Sequence, residues 1–419
     1  MNATITSALP NGEIKAIASK SVAHRLLICA AFADKESTIR CENVNNDILA
    51  TANCLRALGA EIDYSDKFFL VKPISLSASE AVLDCNESGS TLRFLIPVAC
   101  AVCDKTSFMM SGRLPERPLS PLREELEAHG INFEYPKRDV LTVSGRLKCG
   151  DYVISGEVSS QFISGLLFAL SFLEGRSTLT VTGKIESAPY IEMTLDALEA
   201  FGVSISAENN VYTIIGGSLK SKGVLSVEGD WSNAAFPLCA AALGGNIKLD
   251  NLNLVSRQGD MAIIDILTRF GAEIVKENDF VTVKRGSLKA IELDASHIPD
   301  LVPVIATVAS VAEGTTKIYG ASRLRIKESD RLVSTSTMLR GLGADITETD
   351  DGLIIRGKTK LSGGTVSSFN DHRIAMSAAV ASVVCVGSVT IKDAEAVNKS
   401  YPDFWTDIKK LGFNVFLDE

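Results

Sequence analysis

The apolar positions of this chain fall into two alternating kinds of segment. One kind is apolar on every side. LLICAAFA follows Lys20-Ser21, FISGLLFALSFL follows Ser159-Ser160-Gln161, AAFPLCAAAL follows Asp230-Trp231-Ser232-Asn233 and IAMSAAVASVVCV follows Asn370-Asp371-His372-Arg373. Two further members lie downstream of Glu87-Ser88-Gly89-Ser90 and His297-Ile298-Pro299-Asp300. A helix without a polar face has to be buried. The Ser, Asp and Asn residues ahead of each segment are the types that satisfy the unpaired amides of a helix start.

The other kind is amphipathic and ends in a recurring octapeptide: LRALGAEI from Leu55, LEAHGINF from Leu126, LEAFGVSI from Leu198, LTRFGAEI from Leu267, LRGLGADI from Leu339 and IKKLGFNV from Ile408. Its glycine returns at Gly59, Gly130, Gly202, Gly271, Gly343 and Gly412, a period of roughly seventy residues that marks a repeat architecture. Each octapeptide reads as a helix closed by a left-handed glycine cap and followed by an alternating strand. A hairpin such as Ala272 to Arg285, turning at Asn278-Asp279, completes the unit.

Six copies of a buried helix, a strand, an amphipathic helix and a hairpin exceed one ordinary core. The expectation is therefore an α/β fold of two similar globular domains, each of three repeats with buried parallel helices, an inside-out α/β barrel. The sixth repeat stops at Phe413 to Glu419, one strand into its hairpin, while the strand-like start Ala3 to Leu9 has no repeat of its own. The N-terminal segment should then complete the domain of the last repeat. This makes one domain discontinuous, 1–18 plus 229–419, with 19–228 inserted and a hinge where the chain crosses.

Composition narrows the classes. Apolar content of 46% is globular, and no apolar run reaches membrane-spanning length. The polar start MNATITSALP does not read as a signal peptide. Nine scattered cysteines form no disulfide pattern, Cys100-x-x-Cys103 falls inside a predicted buried helix, and a reducing cytoplasm is the expected setting. With four histidines and no paired Cys or His spacing, a zinc site is not expected. The net charge of −9 disfavours nucleic acid as partner, and a monomer is expected.

The placement of the basic residues tells more than their total. Lys20, Arg25, Arg93 and Arg373 fall in the first turns of buried helices, and Arg117, Lys327, Arg331 and Lys399 at the predicted starts of amphipathic ones. A helix N-terminus carries positive partial charge, so cations there are unfavourable unless an external anion joins them. If the buried helices of a domain run parallel, their starts gather on one face and form an anion site. Ser21 and Arg25, four residues apart, can reach one phosphate. Ser159-Ser160-Gln161 offers two hydroxyls and an amide. Arg325 to Arg331 sets Glu328 beside Lys327 and Arg331.

At this point the chain resembles the enolpyruvyl transferases along its whole length. The likeness rests on SKSVAHR from Ser19, ESGSTLRF from Glu87, LPERPL from Leu114, SSQF from Ser159, SAPY from Ser187, HIPD from His297, RIKESDR from Arg325, NDHRIAM from Asn370 and NKSYPDF from Asn398. RIKESDR and SSQF favour the branch that acts on shikimate 3-phosphate over the one that acts on a UDP-linked amino sugar. The resemblance implies two domains hinged around an active-site cleft. It implies addition of the 5-hydroxyl of shikimate 3-phosphate to C2 of phosphoenolpyruvate, protonation of C3 and loss of phosphate, with neither metal nor organic cofactor. It also implies that the family's inhibitor glyphosate competes with phosphoenolpyruvate for the pocket at Gly89.

Carried over residue by residue, the resemblance assigns shikimate 3-phosphate to Ser21, Arg25, Ser159, Ser160, Gln161, Ser187, Tyr190, Asp300 and Lys327. Phosphoenolpyruvate falls to Lys20, Gly89, Arg117, Gln161, Arg331, Arg373 and Lys399. Asp300 is the expected base on the 5-hydroxyl, Glu328 the group exchanging a proton with the methylene carbon, and Lys20 an aid to proton transfer. His372 reads equally as a polar helix start and as a phosphate contact. Glu87, Phe94 and Arg323 depart from the familiar pattern and leave the pocket at Glu87, the helix start at Phe94 and one ring-hydroxyl contact unassigned. A non-catalytic anion binder on the same scaffold is the alternative from another class; retention of Asp300 and Glu328 speaks against it.

Overall fold

The computed structural model describes residues 1–6, 9–75 and 78–418. Its internal contacts divide the chain into one unit of Met1–Ile17 with Glu228–Glu419 and another of Ala18–Val227. Ser7 and Ala8 of the strand-like start, and Glu419, lie outside the described residues.

In the unit of 18–227 the helices are α1 (Lys20–Ala31), α2 (Asn46–Ala57), α3 (Gly89–Val102), α4 (Leu122–Ala128), α5 (Ser160–Phe172) and α6 (Pro189–Ala200). The other unit holds α7 (Trp231–Gly244), α8 (Ile263–Phe270), α9 (Val302–Ala309), α10 (Arg331–Gly341), α11 (His372–Ala381) and α12 (Phe404–Lys410). The odd-numbered helices are the all-apolar segments and are buried around their circumference, as in α5, where Phe162 to Ser171 are all buried. Truncating fully buried Leu166 to Ala would cost about 2–5 kcal/mol in lost burial and cavity. The six octapeptide glycines all take positive φ, from 81° at Gly202 to 110° at Gly59, which is why glycine recurs there.

Within a repeat the buried helix is the crossover between two parallel strands. Glu80–Asp84 pairs parallel with Lys105–Met109 across α3, and the hairpin of Asn132–Lys137 and Val140–Ser144 adds antiparallel to the latter. Six four-stranded sheets of this order make up the described strands. In two of them the parallel pair departs from chain order. Asn11–Lys15 precedes α1 but pairs with Asn246–Asp250, and Val224–Ser226 precedes α7 but pairs with Ser37–Arg40. The chain exchanges parallel partners at its two crossings. Asn2–Thr6 lies antiparallel between Val389–Lys392 and Asn414–Asp418, supplying the strand that the sixth hairpin lacks.

Close packing fixes how the buried helices meet. A methyl on Gly165 of α5 would sit 2.6 Å from the carbonyl oxygen of Arg93 on α3, the carbonyl that Pro97, lacking an N–H, leaves without its helical donor. Gln161 donates to Ser90 Oγ at 2.8 Å, so the starts of α3 and α5 lie side by side and the two helices run parallel.

Candidate active site

The helix starts of 18–227 collect one set of candidate residues. The Ser88 and Ser159 hydroxyls accept from Thr91 N and Gln161 N and cap α3 and α5. Arg25 is buried on α1; its Nη1 donates to Ser21 O at 2.7 Å, its Nη2 to Tyr190 O at 2.8 Å and its Nε to Thr194 Oγ1 at 2.9 Å. Three of its five donors are thereby spent on fixing the plane of the guanidinium. The Phe94 ring lies 5.0 Å beneath it. Phe94 therefore leaves the helix start regular and serves as the floor under Arg25.

Lys20 pairs with Asp47 on α2 at 2.9 Å, a carboxylate absent from the sequence-based set. Behind it runs a buried chain of hydrogen bonds, from His24 Nδ1 to Thr51 Oγ1 at 2.6 Å, to Thr91 Oγ1 at 2.7 Å and to Ser88 Oγ at 2.7 Å. Burial, with Lys20 and Arg25 nearby, holds the His24 pKa well below the usual histidine range, so the ring is neutral. Ser187 takes a left-handed φ of 55° just ahead of Ala188 and Pro189, as Asn86 does ahead of α3 and Phe369 and Asn370 ahead of α11. Such conformations cost about 1–3 kcal/mol in non-glycine residues and cluster where a loop must aim its groups.

Two expectations need correcting here. Arg93 is not left to an external anion alone: Nη1 donates to Gln161 Oε1 at 2.9 Å and the guanidinium stacks over Phe162, so it orients Gln161. Arg117, Lys327 and Lys399 do not open amphipathic helices. Arg117 and Lys327 close the short turns Leu114–Glu116 and Ser322–Ile326, and Lys399 is the last residue of Ala394–Lys399. Pro118 explains the first case, because a residue before proline is pushed out of the helical region and Arg117 is extended at ψ 131°. Arg117 instead reaches over the start of α3 at Gly89. The Glu87 carboxylate lies over Gly112, where a methyl would meet its Oε2 at 2.8 Å.

The other unit builds its set around one guanidinium. Arg331 opens α10 and is 1% exposed; it donates from Nη1 to Asp300 Oδ1 at 2.7 Å, from Nη2 to Glu328 Oε2 at 2.5 Å and from Nε to Asp371 Oδ2 at 2.8 Å. Asp371, fully buried, also caps α11 through Arg373 N at 3.0 Å and accepts from Ser329 Oγ at 3.0 Å. Arg373 bonds Asp300 twice, Nη2 to Oδ2 at 3.0 Å and Nη1 to its carbonyl at 3.2 Å. The Lys327 ammonium stands 3.8 Å from Asp300 Oδ1, and Lys399 donates to Asn370 O at 2.8 Å. His372 is buried in the first turn of α11, and Arg323 lies near enough to Lys327 to help lower it.

Burial pushes the Asp300 carboxyl up, but Arg373, Lys327 and Arg331 outweigh it and hold the group ionised, far below the usual carboxylate range. Burial is the larger effect on Lys327, which falls to about 8 although Asp300 pulls it up. Arg331 stays charged, since Asp371, Glu328 and Asp300 more than offset its burial. Asp260 was not foreseen. It lies 1% exposed on the turn Gly259–Ala262, and burial together with the charge of Asp300 pushes it up to about 7. The first set can hold anions and orient them; the second can also move protons. Asp47, Asp371 and Asp260 escaped the sequence reading because each was one acidic residue among 51; only the NDHR string carried a signal, for Asp371.

A profile of the family EPSP synthase (3-phosphoshikimate 1-carboxyvinyltransferase) matches residues 5–408. The chain is 47% identical over 413 residues to a 3-phosphoshikimate 1-carboxyvinyltransferase of Clostridium acetobutylicum, with 96% of each chain covered. To the enzyme of that name from Clostridium novyi it is 44% identical over 414 residues, covering 96% of this chain and 95% of the relative. Among solved structures it is similar to EPSP synthase from Acinetobacter baumannii, with a TM-score of 0.84, 26% identity and 100% of both chains covered. The enolpyruvyl transferase NikO from Streptomyces tendae shares the fold, with a TM-score of 0.78 at 18% identity over 99% of this chain and 98% of that one.

Proposed function

The chain belongs to the EPSP synthase family, and from that premise we propose how its residues divide the work of enolpyruvyl transfer. The reaction is that of the shikimate pathway: the enolpyruvyl group of phosphoenolpyruvate passes to shikimate 3-phosphate and phosphate is released. Ser21, Arg25, Ser159, Ser160, Gln161, Ser187, Tyr190 and Lys327 hold shikimate 3-phosphate, and Asp300 faces its 5-hydroxyl. Lys20, Gly89, Arg117, Gln161, Arg331, Arg373 and Lys399 hold phosphoenolpyruvate.

In the addition step Asp300 accepts the hydroxyl proton as the oxygen bonds to C2, while Glu328 delivers a proton to C3, aided by Lys20. In the elimination step the C2–O bond to phosphate breaks, the departing phosphate takes the proton that Asp300 had accepted while the cations take up its charge, and Glu328 recovers a proton from the new methyl. The observation that supports this division is the contact of a single guanidinium, Arg331, with both Asp300 and Glu328. It fixes two carboxylates at one place and ties both to a cation that an incoming anion would engage. A base held as ionised as Asp300 is weak in the resting state, so anions that draw its cations away should strengthen it.

We place the reaction in the cytoplasm, a reducing compartment in keeping with nine free cysteines of which eight are buried, and take a single chain as the acting unit. The test is phosphate release from phosphoenolpyruvate with shikimate 3-phosphate as acceptor, in the wild type and in Asp300→Asn. Loss of about 10²-fold or more in turnover with the variant is expected. Near-normal turnover would remove Asp300 as the base.

A further inference from the structure

Asp260 is a second buried carboxyl beside the proposed base, with a different set of neighbours. Asp300 has Arg331 at 2.7 Å, Arg373 at 3.0 Å and Lys327 at 3.8 Å. Asp260 accepts one hydrogen bond, from Ser232 Oγ in the first turn of α7 to its Oδ2, while its Oδ1 is buried without a hydrogen-bond partner among the described residues. The charged groups that act on it most are Asp300 from the turn before α9, Arg373 from α11 and Asp230 from the cap of α7. An ionised carboxylate with one empty, buried oxygen and two acidic neighbours is costly. The turn that carries Asp260, the turn that carries Asp300 and helix α11 all pack against α7, and two interacting carboxyls, one richly paired with cations and one not, divide a proton unequally.

We propose that Asp260 is a positioning residue of the transfer reaction: it takes up a proton as the anionic substrates bind, so that Asp300 alone of the two carboxyls keeps its charge. This rests on the reading of Asp300 as the base. The resting carboxyl is poised for that uptake, since burial and Asp300 already push it up to about 7. A phosphate or carboxylate arriving at Arg373 weakens the one cation that lowers Asp260 and adds negative charge nearby. Both effects favour the proton. Conversely, an ionised Asp260 competes with phosphoenolpyruvate for Arg373, so affinity for that substrate should fall as pH rises through this range.

The experiment measures KM for phosphoenolpyruvate against pH, with shikimate 3-phosphate saturating, in the wild type, Asp260→Asn and Ser232→Ala. The substrate's own titration is common to all three. Between about pH 6 and about pH 9 the wild-type KM should rise about fivefold or more beyond the change seen in Asp260→Asn, whose side chain cannot ionise. Ser232→Ala removes a hydroxyl that favours the ionised form, so the midpoint of the rise should move to higher pH. A merely structural role would change kcat or thermal stability at every pH without altering these KM ratios. Parallel pH profiles for the wild type and Asp260→Asn would overturn the proposal. If Asp260→Asn does not fold, an unmoved midpoint in folded Ser232→Ala does the same. Asp300→Asn separates the two readings: normal turnover there sinks the base assignment, whereas an inactive Asp300→Asn beside an unchanged Asp260→Asn profile sinks only the role given to Asp260.

Discussion

A methyl group placed on Gly89 would come within 2.4 Å of Nη1 of Arg117 and 2.9 Å of its Cζ. The φ of Gly89 lies outside the left-handed region, so glycine is required there for room. The obstructed atoms are the far end of a flexible side chain. A larger residue would therefore displace the guanidinium and leave α3 intact.

Gly89→Ala should raise KM for phosphoenolpyruvate about tenfold through loss of the Arg117 contact, weaken glyphosate further, and leave shikimate 3-phosphate affinity nearly unchanged. Because the effect passes through Arg117, adding Gly89→Ala to Arg117→Ala should cost little more. Steady-state kinetics of the two single variants and the double variant check this. Full additivity would mean that Gly89 acts by another route.

Glu328→Gln keeps an oxygen that can accept from Arg331 Nη2 but removes the exchangeable acid. Turnover should fall by about 10²-fold or more, with KM for either substrate changing far less. Solvent-proton exchange into the methylene of phosphoenolpyruvate should fall in step. Retained turnover would take Glu328 out of the proton transfer.

Asp371→Ala would remove a cap from α11 and leave Arg331 buried with one anionic partner fewer. Loss of one partner of a buried pair costs about 3–5 kcal/mol, so the denaturant midpoint should drop accordingly. Asp371→Asn can still cap the helix and should cost less. Equal costs would show that the charge, rather than the cap, is what matters.

Lys327 loses its proton at about 8 in the substrate-free protein, since burial lowers it more than Asp300 raises it. The cation is present below that pH and absent above it. KM for shikimate 3-phosphate should therefore rise as pH passes about 8 and, in Lys327→Arg, stay flat to higher pH. A wild-type KM indifferent to pH in that range would mean that Lys327 does not face the anion.

The repeat was legible because its determinants are local. Six glycines at one period, four of the six N-caps with side-chain bonds and six all-apolar helices need only near neighbours to be read. The cations of the site were legible too, since Lys20, Arg25, Arg331 and Arg373 stand against the expected charge of a helix start. Their partners were not. Arg25 meets Thr194 across 169 positions, Lys20 meets Asp47 across 27 and Arg331 meets Asp371 across 40, and no periodicity carries such pairings. The bond of Arg93 to Gln161 was hidden in the same way, because position on a helix says nothing about an acceptor on another one. Asp260 stayed hidden because its interest lies in burial beside Asp300, and burial of a lone carboxylate has no signature in a string of letters.

The pairing of Asn2 with Asp418 puts the two extremities of the described chain side by side in one sheet. A short tether between them, with new ends opened near residue 227, would turn the nested arrangement into a serial one. Residues 228–419 would run directly into 1–17, and only then into 18–227, without breaking any of the six sheets. In such a permuted chain each half could emerge and finish its hydrogen bonding before the next began. In the natural order Asn2–Thr6 must wait for partners made nearly four hundred positions later.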